Sequence, residues 1–319
     1  MANIVSHDPS VSKGACHNLP IRGCKTMPSL QMTIQMLVSG IALGFIYCLI
    51  AMEFTIVYNC SGLMNFGHER YIMLSAFVFA GTFVTRFDLN SFWAFICSVP
   101  AMALVAVFIA VFVFNRLYSA GGLFVMTATM ALSMMVKEAV RIFYGPMPFT
   151  LTDFLQGTMR FGKVAIPKVY LYIIAAAIVV LILQYALLIY TRIGKAMRAV
   201  AQDKEAAGLM GINVRMILIA AVIMSLLICL VIGMLLIPLY GVSLAMTDVI
   251  GTKGFVAAVV GGIGNINGAI YGGLIVGLLE AVYQLFGNPV YKDAVSFMLI
   301  MVILMFKPQG LISKKRDIM

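Results

Sequence analysis

The sequence predicts an all-α polytopic integral membrane protein with about eight or nine transmembrane helices and one glycine-rich interrupted segment. Three observations predict it. The chain is 62% hydrophobic and 11% charged, too little charge to coat a soluble globule. Its mean hydropathy of +1.04 demands an outer surface that faces lipid. Its apolar runs are long and continuous, near the roughly 20 residues a helix needs to cross the hydrocarbon, whereas a membrane β-barrel would show alternating strands of about ten.

In chain order, residues 1–33 are polar and irregular, with His7, Pro9, Pro20 and Pro28. They lack the apolar core and small-residue cleavage site of a secretory signal, so they read as a flexible tail before a membrane domain at 34–319. Apolar spans follow at 34–58, 71–86, 91–114, 121–140, 169–189, 214–238, 243–263, 267–286 and 291–306. The span at 71–86 is short, and that at 243–263 is interrupted by Asp248, Lys253 and glycines. Cys48, Cys97 and Cys229 lie in apolar runs as small packing residues, while Cys16 and Cys24 sit in the tail, where pairing stays open. The pairs Gly40/Gly44, Gly268/Gly272 and Gly273/Gly277 each place two glycines on one helical face, where backbones can approach closely.

The net charge of +10 would suggest nucleic acid in a soluble protein. In a membrane protein it has a simpler reading, because Lys and Arg collect in cytoplasmic loops. The 190–215 loop holds Arg192, Lys195, Arg198, Lys204 and Arg215, and the C-terminal tail holds Lys307, Lys314, Lys315 and Arg316. Both should face the cytoplasm, and nine spans then place the N-terminal tail outside. The 141–168 loop runs against this, since it falls outside yet carries Arg141, Arg160, Lys163 and Lys168.

Motifs for chemistry are missing: the sequence shows no phosphate-binding G-x-x-x-x-G-K-[ST], no metal-ligand cluster and no nucleophile spaced to a base. Ionisable residues at membrane depth are the functional candidates, namely Glu53, Asp248, Lys253 and Glu280. Glu53 lies about two turns from its span's end, from where its carboxylate could reach the interface. The "GGIGNINGA" stretch, Gly261 to Ala269, should interrupt a helix; irregular backbone at membrane depth survives only where it is buried in protein or lines a cavity. Gly261, Gly262, Gly264 and Asn265 are therefore candidates for the pathway lining, with a structural hinge as the equal alternative.

The interior stretch 190–213 is the most charged between spans. On a helix starting at Lys195, residues Lys195, Arg198, Gln202 and Glu205 share a face, with Val200 and Ala207 roughly opposite and Lys204 interrupting that side. Gly211 can end the helix. A docking helix at the cytoplasmic face and a solvated loop both fit this pattern.

"GKAMRAVAQDKEAAGLMGINV" (194–214) resembles the cytoplasmic loop of the branched-chain amino acid ABC transporter permeases, the LivH-like family. "GFVAAVVGGIGNINGAIYGGLIVGLLEA" (254–281) and "YKDAVSFMLIMVILMFKPQGL" (291–311) resemble the same family, and "GLMNFGHERYIML" (62–74) resembles its segment after the first span. The resemblance runs over 34–311 with four motifs in the family's order. Glu205, Ala206, Ala207 and Gly211 match the E-A-A-x-x-x-G spacing of the wider permease signature that docks on an ATPase. Departures are the missing glycine between His68 and Glu69, Glu53 at a usually small or apolar position, and a short 115–122 loop.

The resemblance implies a transport subunit of the bacterial cytoplasmic (inner) membrane, with its C-terminus in the cytoplasm. It would pair with a second homologous permease subunit, two ABC ATPase subunits and an extracytoplasmic solute-binding protein. ATP would be bound by the ATPase partners, and no cofactor by this chain. Arg198, Gln202, Glu205, Ala206, Ala207 and Gly211 would form the docking element, and Asn65 and His68 would join Gly261, Gly262, Gly264 and Asn265 along the pathway. Urea or short-amide transport, a passive channel and a non-transporting scaffold are the alternatives.

Overall fold

The computed structural model describes residues 30–114, 122–151, 157–161, 164–287, 291–307 and 309–312. Cys16, Cys24 and the 115–121 part of the short loop lie outside them. Helix α1 (Leu30–Ser61) begins inside the stretch read as tail. Then come α2 (His68–Ala76), continued in π-helical winding over Phe77–Arg86, and α3 (Ser91–Ile109), continued likewise over Ala110–Phe114. In the first π stretch the pitch shows in Phe87 N–H donating to the Thr82 carbonyl, five residues back. Helix α4 (Gly122–Tyr144) leads to an antiparallel hairpin of β1 (Thr158–Phe161) and β2 (Val164–Pro167), where the sequence had predicted only a loop.

Helix α5 (Lys168–Tyr190) is followed by two short helices, α6 (Arg192–Gln202) and α7 (Lys204–Leu209). Helix α8 (Val214–Tyr240), α9 (Asp248–Gly261), α10 (Ile266–Phe286) and α11 (Lys292–Phe306) complete the bundle. Among the described residues, five helices are long and apolar enough to cross a membrane: 31–61, 91–114, 168–190, 214–240 and 266–286. Of the other predicted spans, 71–86 falls on α2 with its π-helical continuation and 121–140 on α4 from residue 122. That at 243–263 falls on α9, which covers only Asp248–Gly261 of it, and 291–306 falls on α11.

The two ends of the bundle are set by contacts on α1. Gln35 near its start donates to the Ala165 carbonyl of β2, and Ser61 at its finish accepts from Lys204 of α7. One end therefore carries the hairpin and the other the charged 190–213 stretch. Helix α10 runs antiparallel along α1, with Gly40 beside Ala281 and Gly277, Gly44 beside Gly273, and Cys48 donating from Sγ to the Ile270 carbonyl. Lipid gives helices no hydrophobic reason to associate, so dispersion between closely approaching backbones has to hold them. A Cβ on Gly277 would fall 2.3 Å from Gly44 Cα and 2.7 Å from the Gly40 carbonyl oxygen. Helix α9 joins by the same means, because Gly261 and Gly268 face each other and Gly272 lies against the Ala257 carbonyl.

Gly277→Val should therefore push α1 off α10, a cost of about 1–3 kcal/mol or more because backbone atoms stand in the way. Thermal unfolding of the detergent-purified protein should start well below that of the parent. Gly208→Ala, with nothing within 4 Å of its added methyl, should leave the transition unchanged.

Candidate functional site

Two helices start inside the bundle rather than at its ends. After Ser61 the chain turns at Gly62 (φ +70°) and runs back inward through Leu63–Gly67 before α2 begins at His68. At the opposite end, after Gly241 (φ +67°), residues 242–247 run inward before α9 begins at Asp248. The depth of the meeting point follows from its neighbours. His68 packs edge-on against Phe54, with ring centroids 4.8 Å apart, and α1 has about 10 Å left to run beyond Phe54. Helix α9 extends about 20 Å from Asp248 to the same end.

The two starts are tied to each other. His68 Nδ1 lies 3.1 Å from the Asn65 carbonyl and Nε2 3.4 Å from the Gly251 carbonyl, so the ring bridges α2 and α9. A Cβ on Gly251 would meet Glu69 Cβ at 2.6 Å, so this α9 position has room for no side chain. Arg70 makes an ion pair with Asp248 and reaches the Leu244 carbonyl at 3.4 Å. Glu69 stands 3.6 Å from Arg70 and within the field of Lys137 on α4. Each acidic group sits in the first turn of its helix, where the aligned peptide dipoles favour negative charge.

Two features of this junction bear on its role. The Asp248 side chain is 41% exposed and that of Glu69 24%, although both lie at membrane depth. Charge there faces a bundle interior, a wet cavity or another protein rather than lipid. Asn65 Nδ2 and Thr247 Oγ1, both buried, have no hydrogen-bond partner among the described residues. Asn65 uses only its Oδ1, which accepts from Gly67 N–H at 2.9 Å, and Thr247 begins α9 without capping it.

A second set of charges braces three helices, with Asp293 40% exposed at its edge. Lys253 Nζ lies 2.7 Å from both Glu280 Oε1 and Asp293 Oδ1, joining α9, α10 and α11. Tyr47 donates to Glu280 Oε2 at 3.1 Å and Ser296 donates to Oε1, so that carboxylate is saturated. Glu53 is fully inside, not at the interface: it is 1% exposed and accepts from Ser225 of α8. Its depth arises because α1 continues to Ser61, beyond the end read from hydropathy.

At the charged end the predicted single helix is broken. Asp203, extended at φ −151° and ψ 118°, ends α6 and caps α7 by accepting from Glu205 and Ala206 N–H. Asp is a strong N-cap, and this local bond outweighs continuation of the helix. Glu205 therefore leaves the face of Arg198 and Gln202, although all three remain exposed. Val200 and Ala207 are buried as the pattern required. Gly211, at φ +84°, ends α7: Ile212 N–H reaches the Ala207 carbonyl and Gly211 N–H that of Gly208, the paired bonds of a Schellman cap. The turn presents Leu209 at 89% and Met210 at 84% exposure. Lys204 points the other way, to the Ser61 carbonyl, and burial lowers its ammonium pKa.

Gly261–Ala269 does interrupt a helical run, but as the α9–α10 turn rather than a break within a span. Gly262 (φ +101°) lies against the Gln309 carbonyl and Gly264 (φ +91°) against Asn59. Asn265 caps α10, accepting from Asn267 and Gly268 N–H, and donates to the Ile312 carbonyl. The structure thus brings Asn65 and His68 to the interior junction and places Gly261, Gly262, Gly264 and Asn265 at the charged end. Arg70, Lys137 and Thr247 were missed from sequence. Drawing the second span from 71 left Glu69 and Arg70 outside it, though ionisable residues beside a short span were a readable signal.

The Lys253 network yields a test. Lys253→Met should lower stability by about 3–5 kcal/mol, because Glu280 is left buried and unpaired. Adding Glu280→Gln, which keeps partners in Tyr47 and Ser296, should recover most of that loss in a thermal unfolding assay.

The family model described as "Branched-chain amino acid transport system / permease component" matches residues 36–304. The high-affinity branched-chain amino acid transport system permease protein BraD of Pseudomonas aeruginosa is 30% identical over 310 residues, covering 90% of this chain and 98% of that protein. The corresponding protein LivH of Escherichia coli K12 is 28% identical, covering 88% of this chain and 96% of its own. A probable LivH of Methanocaldococcus jannaschii is 25% identical, with 82% and 87% covered. No solved structure matches the chain. With the match spanning most of its length and apolar helices to fit, the chain is an integral membrane protein that belongs to the family of branched-chain amino acid transport system permease components.

Proposed function

We propose that the chain is the membrane-spanning subunit of an ABC importer for branched-chain amino acids, resident in a bacterial cytoplasmic membrane. The solute class rests on the names of BraD and LivH. The observation that carries the transport reading is the interior junction: two helix starts meet at membrane depth, with Arg70, Asp248 and Glu69 partly open to the surface. Charges so placed suit a pathway wall shared with a second homologous permease subunit. Asn65 and His68 line that junction, and the Gly261–Ala269 turn serves as the hinge between α9 and α10.

The charged end faces the cytoplasm, by the excess of Lys and Arg over 190–215 and in the C-terminal tail. The C-terminus is then cytoplasmic, and the hairpin end meets the solute-binding protein outside. ATP is hydrolysed by two partner ATPase subunits, which dock against Arg198, Gln202, Glu205 and Ala206, with Leu209 and Met210 as apolar anchors. Ala207 fixes the element from below and Gly211 turns the chain into α8. Movement of α7 is transmitted through Lys204 to the end of α1 and the inward-running 62–67 segment, which leads to His68.

Proteoliposomes holding the full assembly should take up leucine only with internal ATP and external binding protein. Uptake without ATP would make the protein a passive channel and overturn the proposal. Replacing both Leu209 and Met210 with Asp should abolish ATPase co-purification at unchanged membrane abundance. Full ATPase retention and uptake would assign 190–213 to a solvated loop. Lys204→Met should keep the ATPase bound but lower the leucine transported per ATP hydrolysed.

A further inference from the structure

We propose that the groove between α1, α5, α6 and α10 at the charged end binds one anionic phospholipid, with Arg198 on its phosphate and the upper part of an acyl chain among Ile56, Cys60, Leu188, Met197 and Ile266. The site concerns neither the solute nor its pathway. Four helices build it. Helix α6 folds back on the end of α5 so tightly that a Cβ on Gly194 would fall 2.4 Å from the Leu187 and Leu188 carbonyl oxygens. The end of α1 is tied to the turn before α10 by Asn59, which donates to the Gly264 carbonyl at 2.9 Å. Between these two pairs lies a groove of about 260 Å³, counted to its open mouth. Ile56, Cys60, Leu188 and Met197 are buried in its walls, which makes the interior apolar. Asn59 is half-buried and Arg198 exposed, so the polar groups stand at the rim.

Charge and depth together choose the occupant. Helix α6 exposes Arg192, Lys195 and Arg198 and contains no acidic residue, so the head of the ligand is an anion. Arg198 is the basic residue at the groove, and its guanidinium turns back toward α5 to reach the Ile189 carbonyl at 3.4 Å. Helix α10 begins at the groove with Ile266, and the positive end of its dipole favours the same sign of charge. A free phosphate would leave the apolar walls uncovered, and a hydrocarbon alone would leave the arginine unanswered. The level of the groove supplies a molecule with both parts. Tyr190, the last residue of α5, is exposed there, and tyrosines gather at the height of the lipid headgroups. A helix with one basic and one buried apolar face, as α6 is, lies in that same layer and attracts anionic lipid. Arg198 also borders the docking face assigned above, so a bound phosphate fixes its guanidinium beside the ATPase surface.

The assembled transporter is purified in detergent, stripped of lipid by prolonged washing, and titrated while its thermal unfolding is followed, since a ligand of the folded state raises the transition. The titrants are phosphatidylglycerol, phosphatidylcholine with the same acyl chains, and inorganic phosphate. Phosphatidylglycerol should raise the transition at about tenfold lower concentration than phosphatidylcholine, and inorganic phosphate should leave it in place. Ala201→Phe puts a ring into the groove, and Arg198→Gln keeps much of the side chain without the charge. Each should weaken the phosphatidylglycerol response about tenfold or more. Lys307→Gln removes an exposed charge at the same end but outside the groove, and should respond as the parent does. Equal responses to the two lipids, a shift with inorganic phosphate, or the same loss in Lys307→Gln as in Arg198→Gln would overturn the site. Should Ala201→Phe lower membrane abundance, Arg198→Gln decides, because its exposed position leaves the core untouched. Loss of the ATPase from Ala201→Phe at normal abundance would assign the groove to docking and also overturn the site. ATP-driven leucine uptake by the parent before stripping tests the transport reading separately: uptake without a phosphatidylglycerol response sinks the groove alone, whereas a response without uptake sinks only the permease reading.

Discussion

Everything in this bundle depends on how closely α1 and α10 approach. Inside a membrane, apolar side chains gain nothing by leaving lipid for protein, so contact must come from dispersion over closely matched surfaces. Glycines at 40, 44, 273 and 277 remove the side chains that would hold the two backbones apart. The same device recurs at Gly261, Gly268 and Gly272, so α1, α9 and α10 form a block with little room for adjustment. The polar sites are placed by this block, because Asp248 and Lys253 are carried on α9 and Glu280 on α10.

Against this apolar ground the charged groups divide by how fully they are partnered. Glu280 has Lys253, Tyr47 and Ser296 around it and nothing left to offer. Glu53 keeps one oxygen on Ser225, and the other has no hydrogen-bond partner among the described residues. The Arg70 cluster couples an exposed Asp248 to a largely buried Arg70, much as Asp293 forms the exposed edge of the Lys253 network.

Much of the fold was legible in the sequence because membrane spans need long apolar runs and small-residue spacing needs no three-dimensional information. Gly40/Gly44 and Gly273/Gly277 were paired correctly within their helices, though not with each other, since which faces meet is a tertiary fact. The ionisable residues Glu53, Asp248, Lys253 and Glu280 were found by composition alone. Their partners were not, because Arg70 lies 178 residues from Asp248 along the chain. Periodicity ran a single helix through 195–207, yet one Asp side chain bonding its own downstream amides divides it. The hairpin at 158–167 was hidden because strands of four residues are too short to show an alternating pattern.

The interior meeting of α2 and α9 has a mechanical consequence. Helix α2 is fastened to α8, with Ser75 Oγ on the Cys229 carbonyl and Gly233 against Ile72, while α9 is fastened to α10. Between the two assemblies run directional bonds, His68 to Gly251 and Arg70 to Asp248. The seam between α2 and α9 is thus a joint between two separately fastened helices, held by Glu69 against Gly251, by the His68 ring and by the Arg70–Asp248 ion pair.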